Sequence, residues 1–314
     1  MAKPFVKWAG GKSQLLDEIG KTIPACFKYK KFTFIEPFVG GGAVLFYMIE
    51  NYPELEKIVI NDINSDLIST YNVIKNDINE LILVLKELEK EYHLLEDNLD
   101  AKKHFYYSKR DEFNMRGSKP TMQAALFIFL NRTCFNGLYR VNRKNEFNVP
   151  IGSYKKPMIC DEENLRAVNK ALQKVIILNE DFEETLKYAE EETLFYFDPP
   201  YKPLSKTSSF NSYSKEEFDD AAQIRLSNFC KKLDSLGYCW ILSNSDVKGK
   251  NPNDNFFDDL YSEFHIKRVF ARRNINSNPD KRGELTELLI TNFSLNEMEL
   301  MDGQRKSTFT TSGT

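Results

Sequence analysis

The stretch Thr33-Phe34-Ile35-Glu36-Pro37-Phe38-Val39-Gly40-Gly41-Gly42, continuing into Ala43-Val44-Leu45-Phe46-Tyr47-Met48-Ile49, decides the fold. Thr33 to Val39 reads as a buried strand, three glycines break it, and Ala43 to Ile49 is apolar and helix-compatible. A second strand, Lys57 to Ile60, ends at Asn61-Asp62. Strand, glycine turn, helix and strand in this order form the first unit of a doubly wound α/β sheet.

Outward from that unit, Leu67 to Arg110 has a mostly helical pattern, with Leu81, Leu85, Leu88 and Leu95 set among charges. Asn131 to Pro157 is aromatic and rich in Asn and Arg, and reads as loops or a hairpin. Strands resume at Val175 to Leu178, Leu194 to Phe197 and Tyr238 to Leu242, with a helix from Lys215 to Leu236 between the last two. The α/β pattern is thus interrupted by roughly a hundred residues and then completed. This predicts a discontinuous sheet domain over 1–70 and 176–294, a mainly helical insertion over 71–175, and a disordered tail over 295–314.

With 314 residues, 41% apolar and 13% aromatic, the chain can bury a large core. Its longest apolar stretch, Ala124 to Leu130, is far short of the roughly 18 residues that a membrane span needs, and the expectation is a soluble, cytoplasmic protein without membrane contact. The cysteines Cys26, Cys134, Cys160, Cys230 and Cys239 are scattered without C-x-x-C spacing, so reduced thiols and no metal site are expected. A net charge of −3 argues nothing for nucleic acid, but its distribution is uneven. Residues 1–31 carry seven lysines against Asp17 and Glu18, residues 131–156 carry six basic residues against Glu146, and residues 265–282 carry six against Asp280. Three basic segments far apart in sequence could converge on one face and track phosphates, or be ordinary solvated faces.

Gly10-Gly11-Lys12-Ser13 ends like a phosphate-binding loop, but that pattern needs glycine where Val6 stands, which demotes a nucleotide triphosphatase. A Gly-Gly turn flanked by Trp8, Lys7 and Lys12 still suits an anionic or carboxylate ligand. The turn at Gly40 to Gly42 lets backbone N–H groups approach a ligand closely. Asp62, about twenty residues after the turn, can accept hydrogen bonds from both ribose hydroxyls of a nucleoside cofactor. This pair alone fits either a dinucleotide or S-adenosylmethionine.

Phe195-Tyr196-Phe197-Asp198-Pro199-Pro200-Tyr201 separates the two. An apolar strand delivers Asp198 at its carboxyl end, and two prolines fix the backbone that follows. The lone pair of an adenine amino group is delocalised into the ring. Accepting its two N–H bonds with the Asp198 carboxylate and the Pro199 carbonyl would localise that lone pair and aim it at an electrophilic methyl. Tyr201 can stack on a base drawn out of the duplex. In the basic stretch, Arg132, Arg140 and Arg143 can fork to guanine edges or phosphates, Asn131 and Asn136 can pair with adenine edges, and Phe135 and Tyr139 can wedge or stack.

FVKWAGGK (5–12), FIEPFVGGGAV (34–44), INDINSDL (60–67), LNRTCFNGLYRVNRKNEFNVPIG (130–152), YFDPPY (196–201) and RRNINSNPDKRGELTELLITN (272–292) together resemble the Dam family of DNA adenine methyltransferases, which modify GATC. The resemblance implies a doubly wound S-adenosylmethionine-dependent methyltransferase fold with an inserted, mainly helical DNA-recognition domain. It implies a cofactor site at Trp8, Lys12, Phe38, Gly40, Gly42, Asp62 and Asp198, with Asp181-Phe182 at the cofactor adenine. It implies catalysis by Asp198, Pro199 and Tyr201 without metal, and DNA contacts from Lys7 and the segment Asn131 to Gly152, which includes Arg132, Asn136, Tyr139, Arg140, Arg143 and Pro150. The substrate implied is double-stranded DNA. Two rivals remain: a protein glutamine N-methyltransferase, whose Pro-Pro-Tyr strand end usually follows Asn rather than Asp, and a DNA-binding relative that has lost catalysis, against which the intact Asp198 to Tyr201 speaks. The sequence is compatible with a solitary enzyme or with one paired with a restriction endonuclease.

Overall fold

The β-branched and aromatic residues of Phe32–Glu36 form β1, and the proline at 37, which lacks a backbone donor, ends it. The computed structural model describes residues 1–294 except 9, 11, 202–217, 250 and 272–284. Beside β1 lie β2 (Leu55–Asn61), β3 (Val175–Leu178), β4 (Thr193–Phe197) and β5 (Cys239–Ser245), all parallel, and an antiparallel pair, β6 (His265–Ala271) and β7 (Leu285–Thr291). The order is β3-β2-β1-β4-β5-β7-β6. The chain runs outward from β1 to β3 and then crosses back to β4. A crevice therefore opens between the carboxyl ends of β1 and β4, where sheets of this kind hold their ligands.

Side chains alternate across the sheet. Phe34, Ile60, Leu194, Tyr196 and Ile241 enter one apolar core, and Ile35, Val59, Phe195, Phe197, Trp240 and Leu242 enter a second on the opposite face. Burial on both faces explains why these strands read as continuous apolar runs rather than as alternating ones. The second core is closed by α8 (Asp220–Ser235) and α9 (Phe256–Leu260). The first takes in α1 (Leu16–Thr22), α2 (Ala43–Asn51), α3 (Ser65–Asn76), α4 (Ile78–Leu94), α5 (Leu99–Met115), α6 (Pro120–Thr133) and α7 (Glu162–Leu172).

The helices between β2 and β3 thus share their core with one face of the sheet. At their centre, α6 is buried without interruption from Ala124 to Asn131, as its all-round apolar sequence requires. Caps fix the starts. Asn64 accepts from Leu67 N, Asn98 from Ala101 N and Asp219 from Ala222 N, and Pro120 occupies the first position of α6.

The expected strands and the long helical stretch are present, with β1 ending at Glu36 rather than at Val39. Sequence reading did not anticipate β6 and β7. His265, Lys267 and Arg268 break the apolar pattern of β6, which is tolerated because β6 is an edge strand paired on one side. In β6, Lys267 bonds Glu18 at 3.0 Å and Arg268 bonds Asp246 and Asp258, so these cations are engaged within the protein. The remaining basic residues of that segment, and the expected tail, lie outside the described residues. No helix among the described residues is long and apolar enough to cross a membrane.

Candidate active site

Beyond β1, Gly40 has φ +48° and Gly42 φ +79°, conformations that L side chains rarely adopt. Space enforces the same choice. A Cβ on Gly40 would stand 2.7 Å from Trp8 Cδ1, and one on Gly42 would stand 2.6 Å from the Tyr71 hydroxyl. The turn is a shallow cradle of bare backbone, braced by Tyr71 Oη donating to Gly40 O at 3.0 Å. Asp62 follows β2 beside it. Its Oδ2 accepts from Gly40 N at 3.1 Å and its Oδ1 from Asn64 N at 2.9 Å, while burial lifts its carboxyl to about 6. Phe38 packs 5.4 Å from Phe182, and Arg225 lies over the Phe182 ring and pairs with Asp181, so the residues after β1 and after β3 share one aromatic wall.

Across the crevice, Asp198 leaves β4. Its Oδ1 lies 2.8 Å from Lys12 Nζ and accepts from Ser243 Oγ at 3.3 Å. Ser243 is itself fixed by Tyr196 Oη at 2.9 Å. Burial raises the Asp198 carboxyl and the Lys12 ammonium opposes the rise. Lys12 is 3% exposed, a position that a cation holds only when well partnered. Besides Asp198 it meets Gly10 O at 3.2 Å, Glu287 Oε2 at 3.4 Å and the Tyr201 hydroxyl. Tyr201 Oη in turn donates to Glu287 Oε2 at 2.7 Å. Glu36 lies buried beneath the turn with Oε2 unpartnered, and its carboxyl is pushed well up by burial and by Asp198.

Trp8, Lys12, Phe38, Gly40, Gly42, Asp62, Asp198, Pro199 and Tyr201 therefore converge on the two lips of one crevice. Sequence reading missed Ser243 and Glu287. A lone carboxylate in the apolar strand Leu285–Thr291 was the available signal for the second. Among the described residues no group of His, Cys, Asp and Glu is placed to hold a metal ion.

The model of the D12 class of N6 adenine-specific DNA methyltransferases matches residues 8–275. The chain belongs to that class. It is a DNA adenine methyltransferase by family, and curated members are similar over nearly their whole length. The type II methyltransferase M.MjaIII of Methanocaldococcus jannaschii is 51% identical across 93% of this chain and 99% of its own. A DNA adenine methylase of Haemophilus influenzae is 38% identical across 91% and 92%.

In this D12-class enzyme the segment expected to read DNA divides into exposed and internal residues. Lys7, Asn136, Arg143 and Pro150 are exposed, Arg140 is half-buried with Nε donating to Asn148 Oδ1 at 2.7 Å, and Phe135 is 52% exposed beside Asn136 at φ +55°. Three further residues expected at the DNA are engaged within the protein. Asn131 is buried. Its Oδ1 accepts from Lys7 N at 2.8 Å and its Nδ2 donates to Lys7 O at 2.8 Å and Gly137 O at 3.0 Å, leaving no edge for a base. Arg132 turns inward to donate to Phe5 O at 2.8 Å, with its Nε buried and unpartnered. Tyr139 stacks on Trp8 at 5.6 Å and donates to Asp66 Oδ2 at 2.7 Å. All three lock the N-terminal segment against the insertion. Asn131→Ala should accordingly cost roughly 2–4 kcal/mol of stability, because it orphans both backbone groups of Lys7. A denaturant midpoint within error of wild type would return Asn131 to the list of candidate DNA contacts.

Proposed function

We propose that the protein transfers a methyl group from S-adenosylmethionine to N6 of adenine in double-stranded DNA, at GATC, acting on a base flipped out of the duplex. The observation that carries this reading is the juxtaposition, across the switch point between β1 and β4, of the glycine cradle with Asp62 on one lip and Asp198 on the other.

The cradle fits a nucleoside cofactor. Glycines, forced at 40 and 42 by the closeness of Trp8 and Tyr71, leave its backbone bare, and the Asp62 carboxylate beside it can accept from ribose hydroxyls. S-adenosylmethionine supplies there a methyl on a positively charged sulfur. Asp198 and the Pro199 carbonyl accept from the adenine amino group and hold its lone pair toward the cradle. The same carboxyl, raised by burial, is suited to take the proton that the nitrogen loses on methylation. Ser243 keeps that carboxylate aimed, and Tyr201, tethered through its hydroxyl to Glu287, offers a ring on which the flipped base stacks. Lys7, Asn136, Arg140, Arg143 and Pro150 contact the duplex, with Phe135 as an exposed apolar wedge. A four-base site is within the reach of these groups, since each bidentate pair discriminates by about 1–3 kcal/mol. Work on DNA in the cytoplasm fits this chemistry.

The test is single-molecule sequencing of plasmid DNA treated with the purified protein and S-adenosylmethionine. N6-methyladenine confined to GATC is the expected result. Modification mainly at other sequences would overturn the target while leaving the reaction, and no modified adenine at all would overturn both.

A further inference from the structure

Asp66, the second residue of α3, lines neither lip of the crevice, yet it is bonded toward both the glycine turn and the hairpin. Its Oδ2 accepts from Tyr139 Oη at 2.7 Å, and its Oδ1 is ion-paired with Arg116, in a setting that leaves the carboxylate side chain 12% exposed. Tyr139 stacks on Trp8, whose indole lies against Gly40 of the cradle. Arg116 donates its other amino group to Asn145 O at 3.1 Å. Asn145, at φ +62°, closes the tip of the hairpin held by the bridge between Val141 and Phe147. The guanidinium is also fixed over the Phe113 ring at 4.4 Å. One carboxylate thus joins a stack that ends on the glycine turn to a cation that ends on the hairpin tip.

We propose that Asp66 is a positioning residue that couples cofactor occupancy to DNA reading. The inference rests on the assignment of the cradle to the cofactor and of the hairpin to DNA. A ligand seated on the turn fixes the Trp8 indole, and the stack passes that restraint to Tyr139. The two oxygens of Asp66 then hold the tyrosine and Arg116 in a single arrangement, which sets the hairpin tip. An amide in its place loses the charge that pairs with Arg116 and reverses the hydrogen bond with the Tyr139 hydroxyl, so neither neighbour is held as before.

The experiment measures the dissociation constant of a duplex containing GATC by fluorescence anisotropy, with and without saturating S-adenosylhomocysteine, which cannot react. In the wild-type protein the bound nucleoside should tighten DNA binding by a factor between about 5 and 150. Asp66→Asn should bring that factor to within about twofold of unity, while S-adenosylhomocysteine still binds the DNA-free protein as in wild type. Tyr139→Phe, which removes a single hydroxyl, should lower the factor in the same direction and serves if Asp66→Asn does not fold. A factor of one in the wild type, or an undiminished factor in a folded Asp66→Asn protein with lowered melting temperature, overturns the proposal and leaves Asp66 a structural brace. Failure of the underlying site assignment looks different: S-adenosylhomocysteine would then bind Asp62→Ala as well as it binds the wild type.

Discussion

Asp198→Ala is expected to lower kcat for methyl transfer by on the order of 10³-fold, with the protein folded and still bound to DNA. Two contributions vanish together. The adenine nitrogen loses the acceptor that localises its lone pair, and the proton it sheds loses its first base. The fold should survive, because Lys12 keeps Gly10 O, the Tyr201 hydroxyl and Glu287 Oε2 as partners when Asp198 is removed. Single-turnover assays with labelled cofactor separate the chemical step from product release. A rate within about tenfold of wild type would remove Asp198 from the chemistry, since one well-placed group is worth more than that.

Asp62→Ala should raise the dissociation constant of S-adenosylmethionine roughly 100-fold, the loss expected when hydrogen bonds to a charged acceptor disappear. Calorimetry reads this directly, and pH supplies an internal control. The Asp62 carboxyl is lifted by burial to about 6, and its ionised form is the acceptor that ribose hydroxyls need. Wild-type affinity should therefore be level above that pH and weaken as pH falls through it, approaching about tenfold per unit. In Asp62→Ala this dependence should vanish. A wild-type affinity that stays level down to pH 5 would mean that Asp62 does not meet the cofactor as an anion.

The glycine turn, Asp62 and the Asp198 strand end could be read from sequence because each is a local event, a strand stopping and a backbone turning within a few residues. Asn131, Arg132 and Tyr139 could not. Their residue types suit base edges or stacking on bases, and what engages them instead is packing against Phe5, Lys7 and Trp8, more than a hundred residues earlier in the chain. Ser243 and Glu287 were hidden for a related reason. Ser243 is one of three polar residues that end β5 and Glu287 the one carboxylate of β7, and the meaning of each depends on which strand lies beside it. The antiparallel β7 gives Glu287 its place, and a reading based on parallel units had no position for it.

The strap made by the first residues has a consequence for how the enzyme is made. Lys3 exchanges two hydrogen bonds with Asn164, 161 positions on, and Lys7 two with Asn131, 124 positions on. Residues synthesised first are thus placed late. At a synthesis rate of about 5–20 residues per second the amino terminus waits on the order of ten seconds for its partners to leave the ribosome. During that wait Trp8 lacks Phe127 and Tyr139, and Lys7 lacks Asn131. Closing these long loops, rather than forming the helices inside them, is the expected slow step of folding.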